Sequence, residues 1–487
     1  MPAFVRDLAA ARFDLRAAVL LAALTVSACI GAGVCNRPLV ADNQLYFFMA
    51  ERAASGIAPH VSLVDTKSQL ATLITAAGIG TGRALGLDDV TAARATSVAA
   101  AAAAVVGTGM LAAGLSGMRA AAILAAIALL SMRGFVDHAA IGCNPKIFLA
   151  AFIAWAHWLS LGRRDAAAGA CAGAAFLCWQ PALLVVAAVA VESARRGGLR
   201  RAATTLAAAL VPVLPYEAYF LFHQALGEQL LQTYVMTAGS VHAGADWLAS
   251  ALFVMTEGRP RQALRLVPTA FAAWSAGKLL QAASGLRSAA VSTPAAPGST
   301  SFVIGAAVSL AFTIYDHQGV PDMFFPAPYL AAGAGIALAW CMGLADRAGR
   351  AARIAAVTAA AAALAIQLHG GGVHLPAERT IDDQRALAAQ VASLAGEYGS
   401  VWVYQGVHLL GLAHLDNHVA YGQLYDDVAS RLDIQSYRPL REGRMPDVLI
   451  LPLRPVPGLS RYRGRYEVIE SPAFEREKLR VLVAARR

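Results

Sequence analysis

Charge is what this 487-residue chain has least of. Only 15% of its residues are Asp, Glu, Lys or Arg, where a soluble domain carries about a quarter. The shortage is concentrated: Ala17–Cys35 and Ile354–Leu368 carry no charge at all, and apolar runs of about 18 residues or more read as membrane spans. No long basic run interleaves with aromatics, so the net charge of +9 does not point to nucleic acid. No CxxC pair occurs among the six cysteines (Cys29, Cys35, Cys143, Cys171, Cys178 and Cys341). Most lie in apolar runs, where Cys acts as a small hydrophobe; Cys35 and Cys143 share the proposed outer face, where pairing stays open. There is no nucleotide-binding P-loop and no internal repeat. Acids are nearly missing from the apolar runs, whereas an ion-driven transporter needs ionisable groups inside its spans. Chemistry is therefore expected at the outer surface.

What is present is a polytopic pattern of about eleven spans. Arg6, Arg12 and Arg16 precede the first run. Val26-Ser27-Ala28-Cys29 resembles a lipoprotein cleavage site, but an uncleaved anchor with its N-terminus in the cytoplasm is the preferred reading. Span one is Ala17–Val34, followed by an outer segment over 35–93. Within that segment Gln69–Leu87, punctuated by Gly78, Gly80 and Gly82, reads as helices lying on the membrane surface. Spans two to four are Arg94–Leu115, Ala120–Met132 and Ile147–Leu161, with Arg133–Lys146 facing out. Spans five and six flank Trp179-Gln180-Pro181, read as an interfacial aromatic with a turn. Span seven is Ala202–Phe222, and a second outer segment occupies 223–264. Spans eight to eleven are Leu264–Ala282, Phe302–Ile314, Phe324–Gly343 and Ile354–Leu368. The proposed inner loops are far denser in Lys and Arg than the outer ones, as the positive-inside rule requires.

After residue 368 the composition changes. Ile381–Tyr398 has helical periodicity, and Ser400–Tyr404, Asp447–Leu451, Tyr466–Ile469 and Leu479–Val483 read as strands. The expected division is a membrane unit over 1–368 and a small α/β domain over 369–487, on the extracytoplasmic side of a bacterial-type inner membrane. His408, His414 and His418 lack a companion Cys and read as surface histidines.

The outer segments gather the acids Asp42, Asp65, Asp137, Glu228, Asp246, Asp316 and Asp322. After span one come Asp42-Asn43-Gln44-Leu45-Tyr46, then Gly56-Ile57-Ala58-Pro59-His60, then Asp65-Thr66-Lys67-Ser68-Gln69-Leu70, with Arg94 opening span two. This order resembles the first outer loop of the GT-C glycosyltransferases, in particular the polyprenyl- or dolichyl-phosphate-sugar-dependent mannosyltransferase and aminoarabinose transferase type. Asn144-Pro145 stands where that family often has an acid beside Pro. Tyr315-Asp316-His317-Gln318 through Phe324-Phe325-Pro326-Ala327-Pro328-Tyr329 is similar to its late "HY…P…P" segment. The chain departs from the pattern at Asn43, the usual second acid; at His60, the usual Tyr; and at Asn144, unless Asp137 replaces that acid. Metal use and substrate class are thereby left open, with a divalent metal as one option.

The resemblance implies a membrane glycosyltransferase that moves a sugar from a polyprenyl-phosphate donor to an extracytoplasmic glycan, lipid or protein acceptor, with inversion. Among membrane lipids and with no nucleic-acid partner, such an enzyme needs a carboxylate to take the acceptor proton, for which Asp42 is the choice. It also needs cations for the departing phosphate: Lys67 first, then Arg259, Arg261 and Arg265. Asp65, His60, His317 and Asn144 complete the candidate substrate-binding set. Each has a plainer reading as a helix cap, interfacial anchor or surface group. The competing functions are a transporter or flippase, a non-catalytic assembly protein, and a glycan polymerase or ligase working on a pyrophosphate carrier.

Overall fold

The structure is a computed structural model that describes residues 15–236, 299–316, 319–348, 380–404, 406–418, 445–453, 465–476 and 478–484. Helix α1 (Leu15–Gly31) leads to α2 (Asp42–Ala54), a one-turn helix Pro59–Ser62 and α3 (Leu70–Ala84). Then follow α4 (Asp89–Ser116), α5 (Arg119–Ser131), α6 (Arg133–Ile141), α7 (Pro145–Leu161), α8 (Asp165–Phe176) and α9 (Leu183–Phe222). After residue 298 come α10 (Ser299–Tyr315), a 3-10 turn Val320–Phe324 and α11 (Ala327–Ala348). By length and composition, Asp89–Ser116 and Gln180–Phe222 can each cross a membrane, and the pair α5–α6, bent by 71°, can form a third crossing. Leu15–Gly31, Pro145–Leu161, Thr300–Tyr315 and Ala327–Met342 are shorter apolar helices. Spans eight and eleven of the sequence reading lie outside the described residues.

Three local readings change, and one open question closes. Helix α4 starts at Asp89 rather than Arg94, because the Asp88 carboxylate accepts the Thr91 backbone N–H at 3.1 Å and caps it. The glycines of 69–87 do not interrupt a helix: α3 is continuous, and a Cβ on Gly78 would sit 2.0 Å from Thr96 Oγ1 and one on Gly82 2.3 Å from the Ala92 Cβ. Bare backbone there lets α3 press against α4 instead of lying alone on a surface. The segment after Arg133 does not simply face out; it forms α6, in which Phe135, Asp137 and His138 are buried. Cys35 and Cys143 are free thiols, the first exposed and the second buried.

Helix α9 bends at Gly197-Gly198, where Gly198 takes φ 73°, so spans six and seven are two helices joined without a loop. Its second half packs closely on α8: a Cβ on Gly169 or Gly173 would lie 2.1 Å from the carbonyl oxygen of Thr205 or Ala209.

The later residues fold as α12 (Ile381–Tyr398), β1 (Val401–Val403), α13 (His408–Leu412), β2 (Val448–Pro452), β3 (Tyr466–Ile469) and β4 (Leu479–Ala484). A capping box joins Thr380 and Asp383 at the start of α12. The sheet order is β1-β2-β4-β3, with β1 parallel to β2 and the other pairs antiparallel. This sheet shares one apolar core with α2. Tyr46, Phe47, Phe48 and Met49 cluster with Val401, Val403, Leu409, Leu410 and Val448. Gly411 lies so near that a Cβ there would meet Phe47 Cε1 at 3.3 Å. Polar contacts reinforce the seam. Leu39 N–H donates to Gln384 Oε1 at 2.8 Å, and Gln384 Nε2 donates to Leu39 O at 2.9 Å. Arg52 pairs with Asp416 and Arg385 with Asp88.

Candidate functional site

Helix α2 begins abruptly. Ala41 takes a left-handed φ of 50° just before it, and Asp42 occupies the first turn, where the exposed N–H groups favour a carboxylate. Asn43, Tyr46 and Phe47 bury the inner face while the Asp42 side chain stays 44% exposed. Between the Pro59–Ser62 turn and α3, the segment Asp65-Thr66-Lys67 returns beneath it. The Lys67 ammonium stands 3.6 Å from an Asp42 carboxylate oxygen and donates to the Tyr46 hydroxyl at 3.0 Å. The two residues that the sequence put forward as base and phosphate-holding cation are thus an ion pair.

Asp65 is buried beside them. It accepts from Gln69 Nε2 at 2.6 Å and from the Lys67 backbone N–H at 3.4 Å. Burial pushes its pKa up, against the pull of Lys67 and of the Gln69 hydrogen bond. Burial, and then the charge of Asp65, hold the Tyr46 phenol well above its usual range, so it stays neutral. Of the two acids, Asp42 is the one open to a substrate hydroxyl.

His60 is an internal brace. Its Nδ1 lies 3.0 Å from Gln232 Oε1 and its Nε2 lies 3.3 Å from Thr233 Oγ1. Both nitrogens are taken, which leaves neither for a sugar or phosphate, and burial lowers its pKa to about 4. Asn144 caps α7 through the Lys146 backbone N–H, and its amide also reaches Asn43 Oδ1 at 3.3 Å and His138 Nδ1 at 3.2 Å. Asp137 pairs with Arg37 at 2.8 Å. Arg94 binds the carbonyls of Ile141, Cys35 and Arg37, tying the end of span one to the end of α6. Arg259, Arg261, Arg265 and His317 lie outside the described residues.

The Trp179-Gln180-Pro181 turn is not an interfacial anchor. Trp179 is buried edge-on against Phe312 and Phe325, and Gln180 Nε2 donates to the carbonyls of Thr66 and Thr233. The Lys146 ammonium lies 4.2 Å from the Trp179 ring centroid and pairs with Asp322. Neither Lys146 nor its partners were candidates from sequence. The available signal was a lysine in the first turn of an otherwise apolar helix, a costly position without a partner.

Of the C-terminal histidines, His414 is exposed as expected, and His408 differs. His408 is buried, and burial lowers its pKa to about 3. His414 Nδ1 lies 3.0 Å from Glu51, and His414, Glu51 and Asp89 are close enough for one metal ion. The Arg83 guanidinium already stands 2.8 Å from both carboxylates. A cation therefore fills that place, and the group does not suit a metal without displacing it. Among the described residues Asp42 belongs to no such group.

No family model and no curated protein matches the sequence. Solved structures do. ArnT from Cupriavidus metallidurans bound to undecaprenyl phosphate aligns over 96% of this chain and 99% of its own, with a TM-score of 0.61 at 16% identity. Its apo form gives 0.59 over the same shares at 14% identity. The oligosaccharyltransferase AglB from Archaeoglobus fulgidus, in complex with an inhibitory peptide and a dolichol-phosphate, gives 0.56 at 13% identity, over 91% of this chain and 69% of its own. The fold is that of the GT-C glycosyltransferases. The GT-C likeness extends over the C-terminal sheet as well as the helices, since the ArnT alignment covers nearly the whole of both chains. With this fold and its apolar helices, the chain is a membrane protein.

Proposed function

We propose that this protein is a membrane glycosyltransferase that takes a sugar from a polyprenyl-phosphate carrier and gives it to an acceptor hydroxyl on the extracytoplasmic side. The observation that carries this reading is the Asp42–Lys67 pair: an accessible carboxylate 3.6 Å from a mostly buried ammonium, in a fold whose solved neighbours hold undecaprenyl phosphate or dolichol-phosphate. An acceptor hydroxyl beside Asp42 gives up its proton to that carboxylate as its oxygen attacks the anomeric carbon. The bond from that carbon to the phosphate oxygen breaks, and the growing negative charge falls to Lys67. Attack from the face opposite the phosphate inverts the anomeric centre. Asp65, buried and pulled toward its neutral form, holds Gln69 and the Lys67 backbone in place rather than competing for the proton. The inner membrane is the location proposed, with the sheet of 381–484 on the outer side as a cover for α2.

The test is sugar transfer from a panel of radiolabelled polyprenyl-phosphate sugars, in membranes holding equal amounts of wild type, Asp42→Asn and Lys67→Ala. Removing the base is expected to lower transfer by about 10²–10⁴-fold. Full transfer by Asp42→Asn would remove the base assignment. No transfer by wild type from any donor would favour the transporter or assembly readings.

A further inference from the structure

We infer that Lys146 is a second phosphate-holding residue of this site, with Asn43 beside it, and that Asp322 and Trp179 serve to aim its ammonium. The inference rests on the glycosyltransferase reading and adds to it residues linked to Asp42 through Asn144, which caps α7 at the Lys146 backbone N–H and donates to Asn43 Oδ1, next to Asp42. Three observations support it.

First, Lys146 is placed at considerable cost. Its side chain is only 8% exposed, and it sits on the first turn of α7, between the Asp322 carboxylate and the face of Trp179. A buried ion pair is often no better for stability than apolar side chains of the same volume, so stability alone does not account for it. Second, its helix is tied to the site, for Asn144 caps α7 and its amide donates to Asn43 Oδ1, next to Asp42. Lys146 is within electrostatic reach of both Lys67 and Asp42, and an ammonium has three donors. One goes to Asp322, and the ammonium also lies over the Trp179 ring. Third, the residue next to Asp42 has a donor with nothing to bind among the described residues. Asn43 Nδ2 is buried and lacks a hydrogen-bond partner among the described residues, while its Oδ1 is fixed by Asn144. A buried amide without an acceptor costs about 1–3 kcal/mol, which an oxyanion would recover. Lys67, 3.6 Å from Asp42, and the Asn43 amide in the next position favour an anion, and Lys146 adds a second ammonium within electrostatic reach.

The obvious alternative is that Lys146 only neutralises Asp322. The double change separates the two roles. The readout is equilibrium binding of a short-chain polyprenyl monophosphate to the purified full chain in detergent, by tritiated ligand, beside a thermal midpoint. Lys146→Met alone takes the ammonium from the buried Asp322 carboxylate and is expected to lower the midpoint. Lys146→Met with Asp322→Asn is expected to recover the midpoint yet bind the lipid phosphate about tenfold or more weakly, the loss of one charge-assisted hydrogen bond. Lys146→Arg with Asp322 intact is expected to keep much of the binding. If the double variant recovers wild-type binding together with its midpoint, Lys146 has only a structural role and the inference is overturned. If Lys67→Ala loses binding while the double variant keeps it, the inference fails and the site reading stands. If wild type does not bind the lipid phosphate, the site reading itself fails, and this inference with it.

Discussion

Gln384 is the side chain on which the placement of the proposed base depends most directly. It is 3% exposed, belongs to α12, and makes a two-bond bridge to the backbone of Leu39, three residues before Asp42. The Leu39 carbonyl has a second donor in Gln44 Nε2 at 2.9 Å; its buried N–H has only Gln384 to bind among the described residues. Replacement Gln384→Leu keeps the volume and removes both bonds. The stranded N–H costs about 1–3 kcal/mol and the lost bond to the carbonyl about 1 kcal/mol, so the total is roughly 2–4 kcal/mol. The neighbouring change Arg385→Ala breaks a half-exposed pair with Asp88, worth about 0–1 kcal/mol. Thermal unfolding in detergent, followed by intrinsic tryptophan fluorescence, compares the two under one condition. Gln384→Leu should lower the midpoint several times more than Arg385→Ala, and should reduce sugar transfer because the approach to α2 loosens at Ala41 and Asp42. Equal small shifts from both variants would refute the idea that the bridge holds this turn.

Other outcomes follow from the same packing and charges. Gly173→Ala forces α8 away from α9, where a Cβ would meet the Ala209 carbonyl at 2.1 Å; overpacking of this kind costs about 1–3 kcal/mol and should appear as a lower midpoint than Gly396→Ala, at an open position. His60 is held neutral with a pKa lowered from 6.5 to about 4. Its contribution is therefore complete above pH 6.5 and is lost as the pH falls toward 4, about 3 kcal/mol in all; His60→Gln should flatten that part of a pH–midpoint curve. Arg83→Met leaves Glu51 and Asp89 without the guanidinium that bridges them. It should destabilise the wild-type seam, whereas a chelator added to wild type should leave its midpoint unchanged if Arg83 fills that cation place.

Sequence patterning located elements better than it located side chains. Helix α12 runs over Ile381–Tyr398, the range its periodicity gives, because a capping box and an amphipathic face agree there. The strands begin and end within a residue or two of their apolar runs. The helix beginning at Asp89 was misplaced because Arg94 looked like an anchor, while the stronger signal was the Asp88 cap. Gly78 and Gly82 were read as breaks, since a close approach to Thr96 and Ala92 is invisible until the partner helix is in place. Asp42 and Lys67, 25 positions apart, stand in the sequence as separate candidates for base and phosphate-holding cation, and the structure supplies the contact between them. Lys146 was missed because its partner Asp322 is 176 positions away. His60 looked like a ligand in a polar loop, and only the fold shows that residues 232 and 233 occupy both of its nitrogens.

The core that α2 shares with the sheet also sets an order of events during synthesis. Phe47 and Phe48 leave the ribosome early, yet the residues that cover them, from Val401 to Val483, come hundreds of positions later. Until then, the segment bearing Asp42 has an uncovered aromatic face and an unanswered Leu39 N–H. The proposed centre is therefore assembled last, when the final strand closes. A ribosome stalled before that point would release a membrane-anchored chain with an unformed centre and an exposed Phe-Phe pair, a feature that chaperones and membrane proteases can recognise.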